Sequence, residues 1–406
     1  MKAFPLILHI CITVVFIIIF FIITQKFKPI PISDFKDYWD TSTNLQNYYK
    51  GGLLFLLYAP LKLLNLSAYW SAFLVNSSCF IMLSYILWLD KKSHFQLLSS
   101  FVLLLIGIWF SALVPIVNSD IPTIIFVLFG LKIFSISIKN NKNILILTSI
   151  ILLTIGLSIR SQFFYAFLLL SIFLLIFYAT TKKRTLLLKR SLLFIISSVV
   201  ISFSANFGLE AYSSNKIRIE EHKRVPFYTG LIETAITDNC GRYNTSALKL
   251  AQEEIAQPLS SLLIKKYSQI PLERYIKIIS CKWEHYFFSY NQSTVGWLRS
   301  HLRINETIEN FDDVSLYLWD YLEGISVHLL KLISTFLYLL FLYNFKKQRI
   351  IDKFVFGILT YILLFFLAIH TVMEFQARYL ISPIILTTIT MIYLHADILQ
   401  TNNKNR

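Results

Sequence analysis

The stretch PLILHICITVVFIIIFFIIT, residues 5–24, is followed shortly by SDFKDYWD, residues 33–40. Twenty apolar residues are enough to cross the hydrocarbon core of a bilayer as a helix. Three carboxylates, Asp34, Asp37 and Asp40, alternate with aromatic residues directly after this span. Acidic side chains are costly at a membrane, so acids kept there indicate binding or chemistry. The two stretches together predict an integral-membrane enzyme.

The composition of the 406-residue chain indicates the same class. Hydrophobic residues make up 56% of the chain, charged residues 15%, and the mean hydropathy is +0.61. Soluble domains carry about 25% charged residues, so much of this surface must face lipid. The net charge of +15 does not indicate a nucleic-acid partner, because Lys and Arg lie in short segments between apolar spans. That distribution is what the positive-inside rule requires.

Ten apolar segments are long enough to be candidates for membrane-spanning helices. They are 5–24, 69–89, 97–117, 121–138, 144–159, 162–180, 191–211, 326–345, 352–373 and 380–398. Placing the basic connections in the cytoplasm gives a ten-span topology with both termini inside. The first span is longer than a signal-peptide core, and no small-residue cleavage pattern follows it, so we expect an anchor. The sequence therefore predicts an all-α polytopic protein of a bacterial plasma (inner) membrane.

Two segments are expected on the extracytoplasmic side of this topology. The first, 25–68, contains the acidic motif and the apolar stretch 51–64, which is too short to cross and is expected to lie in the interface or to re-enter. The second, 212–325, is polar and predicts a mostly helical outer domain. It separates an N-terminal membrane bundle, 1–211, from C-terminal membrane helices, 326–406.

The outer domain contains two further features. WEHYFF, residues 283–288, is typical of an aromatic band at a membrane interface. Cys240 and Cys281 also lie in this domain, so a disulfide is open to them in an oxidising compartment. There is no C-x-x-C and no pair of His at ligand spacing, so the sequence predicts no zinc site. No cofactor is expected, and a divalent metal has no support from these residues.

Four motifs follow one another in a recognisable order. Asp34 is followed by Tyr38 four residues later, just after the first span, and Asn118-Ser119-Asp120-Ile121-Pro122 lies at the outer end of the third span. Gly156–Arg160 closes the fifth span, and Gln376–Pro383, which contains Arg378-Tyr379, opens the last. An apolar segment, Gly51–Leu64, precedes the second span.

In this order the motifs resemble the GT-C superfamily, the multispanning glycosyltransferases that use polyprenyl-phosphate sugars. That superfamily includes the protein mannosyltransferases and the aminoarabinose transferases of lipid A. Its members usually carry Asp-Glu or a close variant in the first loop, whereas Phe35 follows Asp34 here. This departure leaves open whether a divalent metal is ever bound.

The resemblance implies transfer of a sugar, with inversion, from polyprenyl phosphate to a cell-envelope glycan or lipid. Asp34 is expected to accept the proton of the acceptor hydroxyl as general base. Arg160 and Arg378 are expected to stabilise the departing lipid phosphate, because guanidinium groups suit that anion. Tyr379 would hydrogen-bond the phosphate, and Asp120 would orient the acceptor or Arg160. Second-tier candidates are Asp37, Tyr38, His370 and Glu374.

Each of these residues also has a structural interpretation. The acidic motif is a solvated helix face in that reading, and Asp120 caps the fourth span with a proline in its first turn. Arg160 is then a snorkelling residue at a helix end. Arg378 and Tyr379 form an interfacial anchor pair.

Two rival functions remain open. An O-antigen or polysaccharide polymerase or ligase also takes polyprenyl-linked sugar, as a diphosphate-linked oligosaccharide, and relies mainly on arginines of an outer loop. The arginines available for that role are Arg218, Arg224, Arg242, Arg274, Arg299 and Arg303. A lipid flippase or transporter needs polar groups at mid-span depth or inverted repeats with broken helices, and the spans 5–24 and 97–117 offer neither.

Overall fold

The computed structural model describes residues 4–88, 93–180, 185–232, 240, 245–288, 294–302, 313–348, 350–374 and 377–404. Every regular element within these ranges is helical. The α-helices, numbered in chain order, are α1 Phe4–Phe27, α2 Ser33–Thr41, α3 Phe55–Leu63, α4 Ala68–Trp88, α5 Ser93–Ser111, α6 Asp120–Asn140, α7 Asn143–Ile159, α8 Ser161–Thr180, α9 Leu186–Tyr212, α10 Lys216–Phe227, α11 Thr245–Glu253, α12 Leu259–Ser268, α13 Leu272–Phe288, α14 Thr294–Leu302, α15 Asp313–Tyr343, α16 Ile350–Val372 and α17 Ala377–Lys404.

Seven helices in the described residues are long and apolar enough to cross a membrane. They are Phe4–Phe27, Ala68–Trp88, Asp120–Asn140, Ser161–Thr180, Leu186–Tyr212, Tyr317–Tyr343 and Asp352–Val372. Three shorter apolar helices, Phe95–Ser111, Asn143–Ile159 and Tyr379–His395, coincide with the other three predicted spans. The prediction of an all-α, multi-pass membrane protein is confirmed at this level.

The third predicted span, 97–117, ends as a helix earlier than the sequence indicated. Helix α5 ends at Ser111, and the chain then turns. Pro115 lies four residues after Ser111, so in a continued helix it could not donate to the Ser111 carbonyl and its ring would clash with it. The fully buried amide of Asn76 donates hydrogen bonds of 3.0–3.2 Å to the carbonyls of Leu113, Val114 and Ile116. Those carbonyls are therefore satisfied without water.

The long apolar helices pack side by side, and their connections collect at two ends of the bundle. At one end, here called the basic end, His9 contacts Ser84 and Ser100, and Arg190 donates to Asn143. Among the described basic residues, Lys139, Lys142, Lys189 and Arg190 lie at the helix ends that meet there. At the opposite end, called the motif end, lie the first loop, the turn before α6, the junction of α7 with α8 and the start of α17.

Helices α10 to α14 form the outer domain beside the motif end. The buried Arg224 donates hydrogen bonds of 2.7–3.0 Å to carbonyls of Glu254, Ile255 and Gln257, which ties α10 to the turn after α11. A disulfide joins Cys240 to Cys281. Helix α15 continues without a break through the predicted domain boundary at residue 325.

Candidate functional site

The acidic motif forms the short helix α2. Phe35 is fully buried and anchors the helix in an apolar cluster. Asp34, Asp37 and Tyr38 are three and four residues apart, so they share one helical face. Helical spacing thus brings the second acid, Asp37, next to Asp34.

Lys50 is the main cationic partner of this acidic face. Its ammonium forms an ion pair with Asp34 and lies 3.6 Å from the Asp37 carboxylate, with only 7% of the side chain exposed. The ammonium also lies 5.3 Å and 5.0 Å from the ring centroids of Tyr38 and Tyr49. Burial disfavours the charged form, but attraction to Asp34 and the neighbouring groups outweighs it and raises the pKa of Lys50 well above its usual value. Lys50 therefore stays charged.

Two glycines after Lys50 bring this loop against the membrane bundle. Gly51 and Gly52 adopt positive φ angles of +90° and +47°, a region that costs little only for glycine. A Cβ on Gly52 would lie 1.8 Å from the carbonyl oxygen of Ser158. This close approach docks the first loop on the end of α7, immediately before Arg160.

Asp37 joins the first loop to the outer domain. Its carboxylate accepts a hydrogen bond from the Tyr49 hydroxyl and lies 3.3 Å from the guanidinium of Arg218. The same guanidinium lies 4.2 Å from the centroid of the Tyr49 ring. Arg218 is 181 residues away in sequence, and local pattern gave no signal that it would reach the acidic motif.

Arg160 and Asp120 form a buried ion pair. The Arg160 Nε also donates to Gln162 at 2.7 Å, and the guanidinium lies 4.7 Å from the centroid of the Tyr379 ring. The Tyr379 ring stacks in turn on His370, with the centroids 5.3 Å apart. Asp120, Arg160, Tyr379 and His370 therefore form one continuous column. It joins α6, the junction of α7 with α8, α17 and α16.

The cap of α6 comes from a neighbour of Asp120. Helix α6 begins at Asp120, and the Ile121 N–H donates to the Asn118 side chain at 3.0 Å. The hydroxyl of Tyr38 donates to Ser119 at 3.4 Å. This contact connects α2 to the turn that positions Asp120.

A cavity of about 590 Å³ lies at the motif end, between the first loop, the outer domain and the start of α17. Its lining includes Asp34, Asp37, Tyr49, Lys50, Arg218, Glu221, His222, Trp297, His301, Glu374 and Tyr379. The cavity therefore brings together predicted residues from both ends of the chain.

The predicted residues divide into those that line the cavity and those that lie behind its wall. Asp34, Asp37, Glu374 and Tyr379 line it. The residues behind the wall are Asp120, Arg160, Tyr38 and His370, and they reach it through the contacts described above. Arg378 belongs to α17, but its side chain is outside the described part of the structure.

The outer-loop arginines that a polymerase or ligase would use do not gather around the cavity in the described part of the chain. Only Arg218 among those described lines the cavity. Arg224 donates hydrogen bonds to backbone carbonyls of the outer domain, and Arg274 is exposed. Arg242, Arg303 and the side chain of Arg299 lie outside the described residues.

The outer domain sets the position of Glu374. The Glu374 N–H donates to the Pro226 carbonyl at 2.6 Å, and the Glu374 carbonyl accepts from His370 Nδ1 at 2.9 Å. Lys282 donates at 3.1 Å and 2.9 Å to carbonyls of Thr371 and Met373 just before it. The cavity wall formed by the last two spans is thus held from outside the membrane bundle.

The lining places cations beside groups that can accept a proton, and both cations are paired with those carboxylates. Lys50 and Arg218 supply positive charge on the wall that carries Asp34 and Asp37, and carboxylates accept protons. No cluster of three or more His, Cys, Asp or Glu suited to a metal occurs among the described residues. Whether a divalent metal binds stays an open part of the prediction.

Comparisons with known proteins leave the family open. No protein-family model matches the chain, and no curated protein or solved structure matches it. The function must therefore be argued from the geometry of the cavity.

Proposed function

We propose that the protein transfers a sugar from a polyprenyl-phosphate donor to a cell-envelope glycan or lipid acceptor. The observation that carries the proposal is the single cavity in which first-loop carboxylates, two cations and Tyr379 of the last span meet. In this proposal the membrane bundle is GT-C-like, with ten spans and both termini in the cytoplasm.

The proposed side of the membrane follows from the two ends of the bundle. Cytoplasmic connections are enriched in Lys and Arg, which assigns the basic end to the cytoplasm. The cavity at the motif end then opens on the extracytoplasmic face of the plasma (inner) membrane. The disulfide between Cys240 and Cys281 supports this side, because disulfides persist in oxidising compartments.

The proposed reaction is a single displacement at the anomeric carbon of the donor sugar. An acceptor hydroxyl oxygen bonds to that carbon while the bond from the carbon to the phosphate oxygen breaks, and the phosphate leaves with the electron pair. The hydroxyl proton passes to Asp34, whose side chain is 39% exposed and forms an ion pair with Lys50. Lys50 and Arg218 are placed to hold the phosphate, because charge-assisted hydrogen bonds are the strong ones.

The structure changes the part that Arg160 plays in this proposal. Its guanidinium is engaged by Asp120, Gln162 and the ring of Tyr379 instead of lining the cavity. Arg160 and Asp120 therefore act as positioning residues that hold Tyr379 at the cavity wall. Tyr379 keeps its proposed contact with the lipid phosphate.

The central test is Asp34→Asn with Asp40→Asn as the matched control. Asp40 lies on the same helix and pairs with the exposed Lys36. We expect Asp34→Asn to lower transfer from a polyprenyl-phosphate sugar by about 10²–10⁴-fold, the usual contribution of a general base. The control should retain transfer. Full activity of a folded Asp34→Asn protein would reject the assignment.

A polysaccharide polymerase or ligase is the second candidate, and the position of Arg218 favours it. Arg218 is an outer-domain arginine that lines the cavity, whereas Arg274 is exposed and serves as its control. Envelope glycans of a deletion strain complemented with each variant separate the two functions. Loss of one branch residue supports the transferase, and shortened glycan chains that depend on Arg218 support the polymerase.

A further inference from the structure

Helix α13 carries an apolar stripe along its full length. Its members are Leu272, Ile276, Ile279, Trp283 and Phe287, which recur every three or four residues and so share one face. Leu272, Ile276 and Phe287 are 74%, 58% and 45% exposed, and the rings of Trp283 and Phe287 stack with centroids 5.5 Å apart. Exposed apolar surface of this extent marks a binding or membrane surface.

The C-terminal half of α13 lies at the depth of the membrane spans. Tyr286 and Leu367 line one crevice, and Leu367 lies five residues before the end of α16. At a rise of 1.5 Å per residue, that is about 7.5 Å below the end of the span. Lys331, within the span Tyr317–Tyr343, donates to the Tyr286 carbonyl, and its ammonium lies 4.6 Å from the Tyr286 ring centroid.

The contact with Lys331 also explains how α13 is held at this depth. Tyr286 is in the last turn of the helix, where a cation interacts favourably with the helix dipole and the unsatisfied carbonyls. A charge inside a span is costly unless a partner is present. Trp283 and Phe287 of the stripe belong to this same C-terminal half of α13.

A crevice lies between α13 and helices α16 and α17. Trp283, Tyr286, Leu367 and Leu380 supply its apolar lining, and His370, Thr371 and the buried Lys282 supply the rest. The His370 ring stacks on Tyr379, which lines the large cavity. The crevice encloses only about 10 Å³, so a hydrocarbon chain would lie along its mouth and against the stripe.

We propose that α13 is embedded in the outer part of the bilayer and that its stripe and crevice bind the hydrocarbon chain of the lipid-linked donor. The phosphate end of that donor then reaches the cavity past Tyr379. This inference rests on the proposed function. Bulk lipid tails are as apolar as the stripe, so preference for the donor comes from its phosphate being held at the same time in the cavity.

The test uses a photo-crosslinking amino acid at defined positions of the full chain in phospholipid nanodiscs. Benzoylphenylalanine replaces Trp283 in one variant, the exposed Ile276 in a second, and Leu332 in a control. Leu332 is 66% exposed on the span of α15, so it reports ordinary lipid contact. The probe is a radiolabelled long-chain polyprenyl phosphate.

We expect labelling at Trp283 and Ile276 to exceed labelling at Leu332 by about tenfold, which corresponds to about 1.4 kcal/mol of preferential binding. Unlabelled polyprenyl phosphate should compete, whereas phosphatidylglycerol should not. Equal labelling at the three positions, or labelling that phosphatidylglycerol removes, would show that the stripe meets only bulk lipid. Absence of labelling at both stripe positions would overturn the inference as well.

The same variants separate this inference from the proposed function. In an Asp34→Asn background the preferential labelling should persist, because chain binding is distinct from the chemistry. Sugar transfer by the wild type without preferential labelling would refute this inference and leave the proposed function standing. Preferential labelling of a wild-type protein that has no transfer activity would refute the proposed function and leave this inference standing.

Discussion

The buried pair of Asp120 and Arg160 gives the strongest stability prediction. The two side chains are 4% and 9% exposed. Asp120→Asn leaves the Arg160 charge buried with Gln162 and an aromatic ring as its neighbours. Removal of one partner of a buried pair costs about 3–5 kcal/mol, because the remaining charge is desolvated without compensation.

This free-energy change corresponds to a measurable shift in the unfolding midpoint. Unfolding entropy is about 2.1 cal/mol/K per residue, or about 0.85 kcal/mol/K for a chain of this length. We therefore expect Asp120→Asn to lower the midpoint in detergent by about 4–6 °C. Transfer activity should fall as well, because Arg160 supports the ring of Tyr379.

Thermal unfolding of five proteins tests the reasoning: the wild type, Asp120→Asn, Arg160→Gln, their double variant and Asp40→Asn. Asp40→Asn breaks the exposed pair with Lys36 and should shift the midpoint little, since exposed pairs contribute about 0–1 kcal/mol. The double variant Asp120→Asn/Arg160→Gln should be less destabilised than the sum of its single variants, because no orphaned charge remains. A midpoint for Asp120→Asn equal to that of Asp40→Asn, or strict additivity in the double variant, would refute the argument.

Three further outcomes are expected. Gly52→Ala should reduce both stability and transfer, because its Cβ would lie 1.8 Å from a main-chain carbonyl of α7. Gly208→Ala is the control, since its Cβ would meet nothing within 4 Å and the variant should behave as wild type. Equal unfolding midpoints for the two variants would contradict the prediction. Asn76→Leu should lower the free energy of unfolding by about 1–3 kcal/mol, because the Val114 carbonyl loses its side-chain donor. The Leu113 and Ile116 carbonyls keep the Asn118 amide. An unchanged denaturation curve would count against this prediction. Burial raises the pKa of Glu254, but the Lys266 ammonium at 2.7 Å outweighs burial and leaves the pKa below its usual value. The ion pair therefore stabilises the outer domain at neutral pH, and this stabilisation is lost as the pH falls through the lowered pKa. Limited proteolysis during acid titration should show a weaker pH dependence for Glu254→Gln than for the wild type, and identical profiles would disprove the prediction.

The positions of the helices were largely predictable because hydrophobic pattern reports a local property. A run such as residues 5–24 faces lipid wherever it lies in the bundle, so its length and composition suffice to predict a membrane-spanning helix. The early end of α5 was not predicted, because the apolar run continues beyond Pro115. Only the structure shows that the Asn76 side chain replaces the helical hydrogen bonds there.

The candidate site was predicted in part. Asp34 and Glu374 are candidates because of their position at span ends, and Tyr379 because of the family resemblance; all three line one cavity. Lys50 and Arg218 were missed as partners of the acidic motif, because a single cation in a loop carries no local signal.

By itself the sequence determined that this chain is helical, crosses a membrane repeatedly and keeps acids and arginines at span ends, since those features depend on periodicity and composition along the chain. Tertiary structure alone decided which charges meet. Arg160 lies behind Tyr379 and pairs with Asp120, while the first-loop carboxylates pair with Lys50 and Arg218. The physical reason is that ion pairs are set by contacts between helices distant in sequence, and no local pattern encodes those contacts.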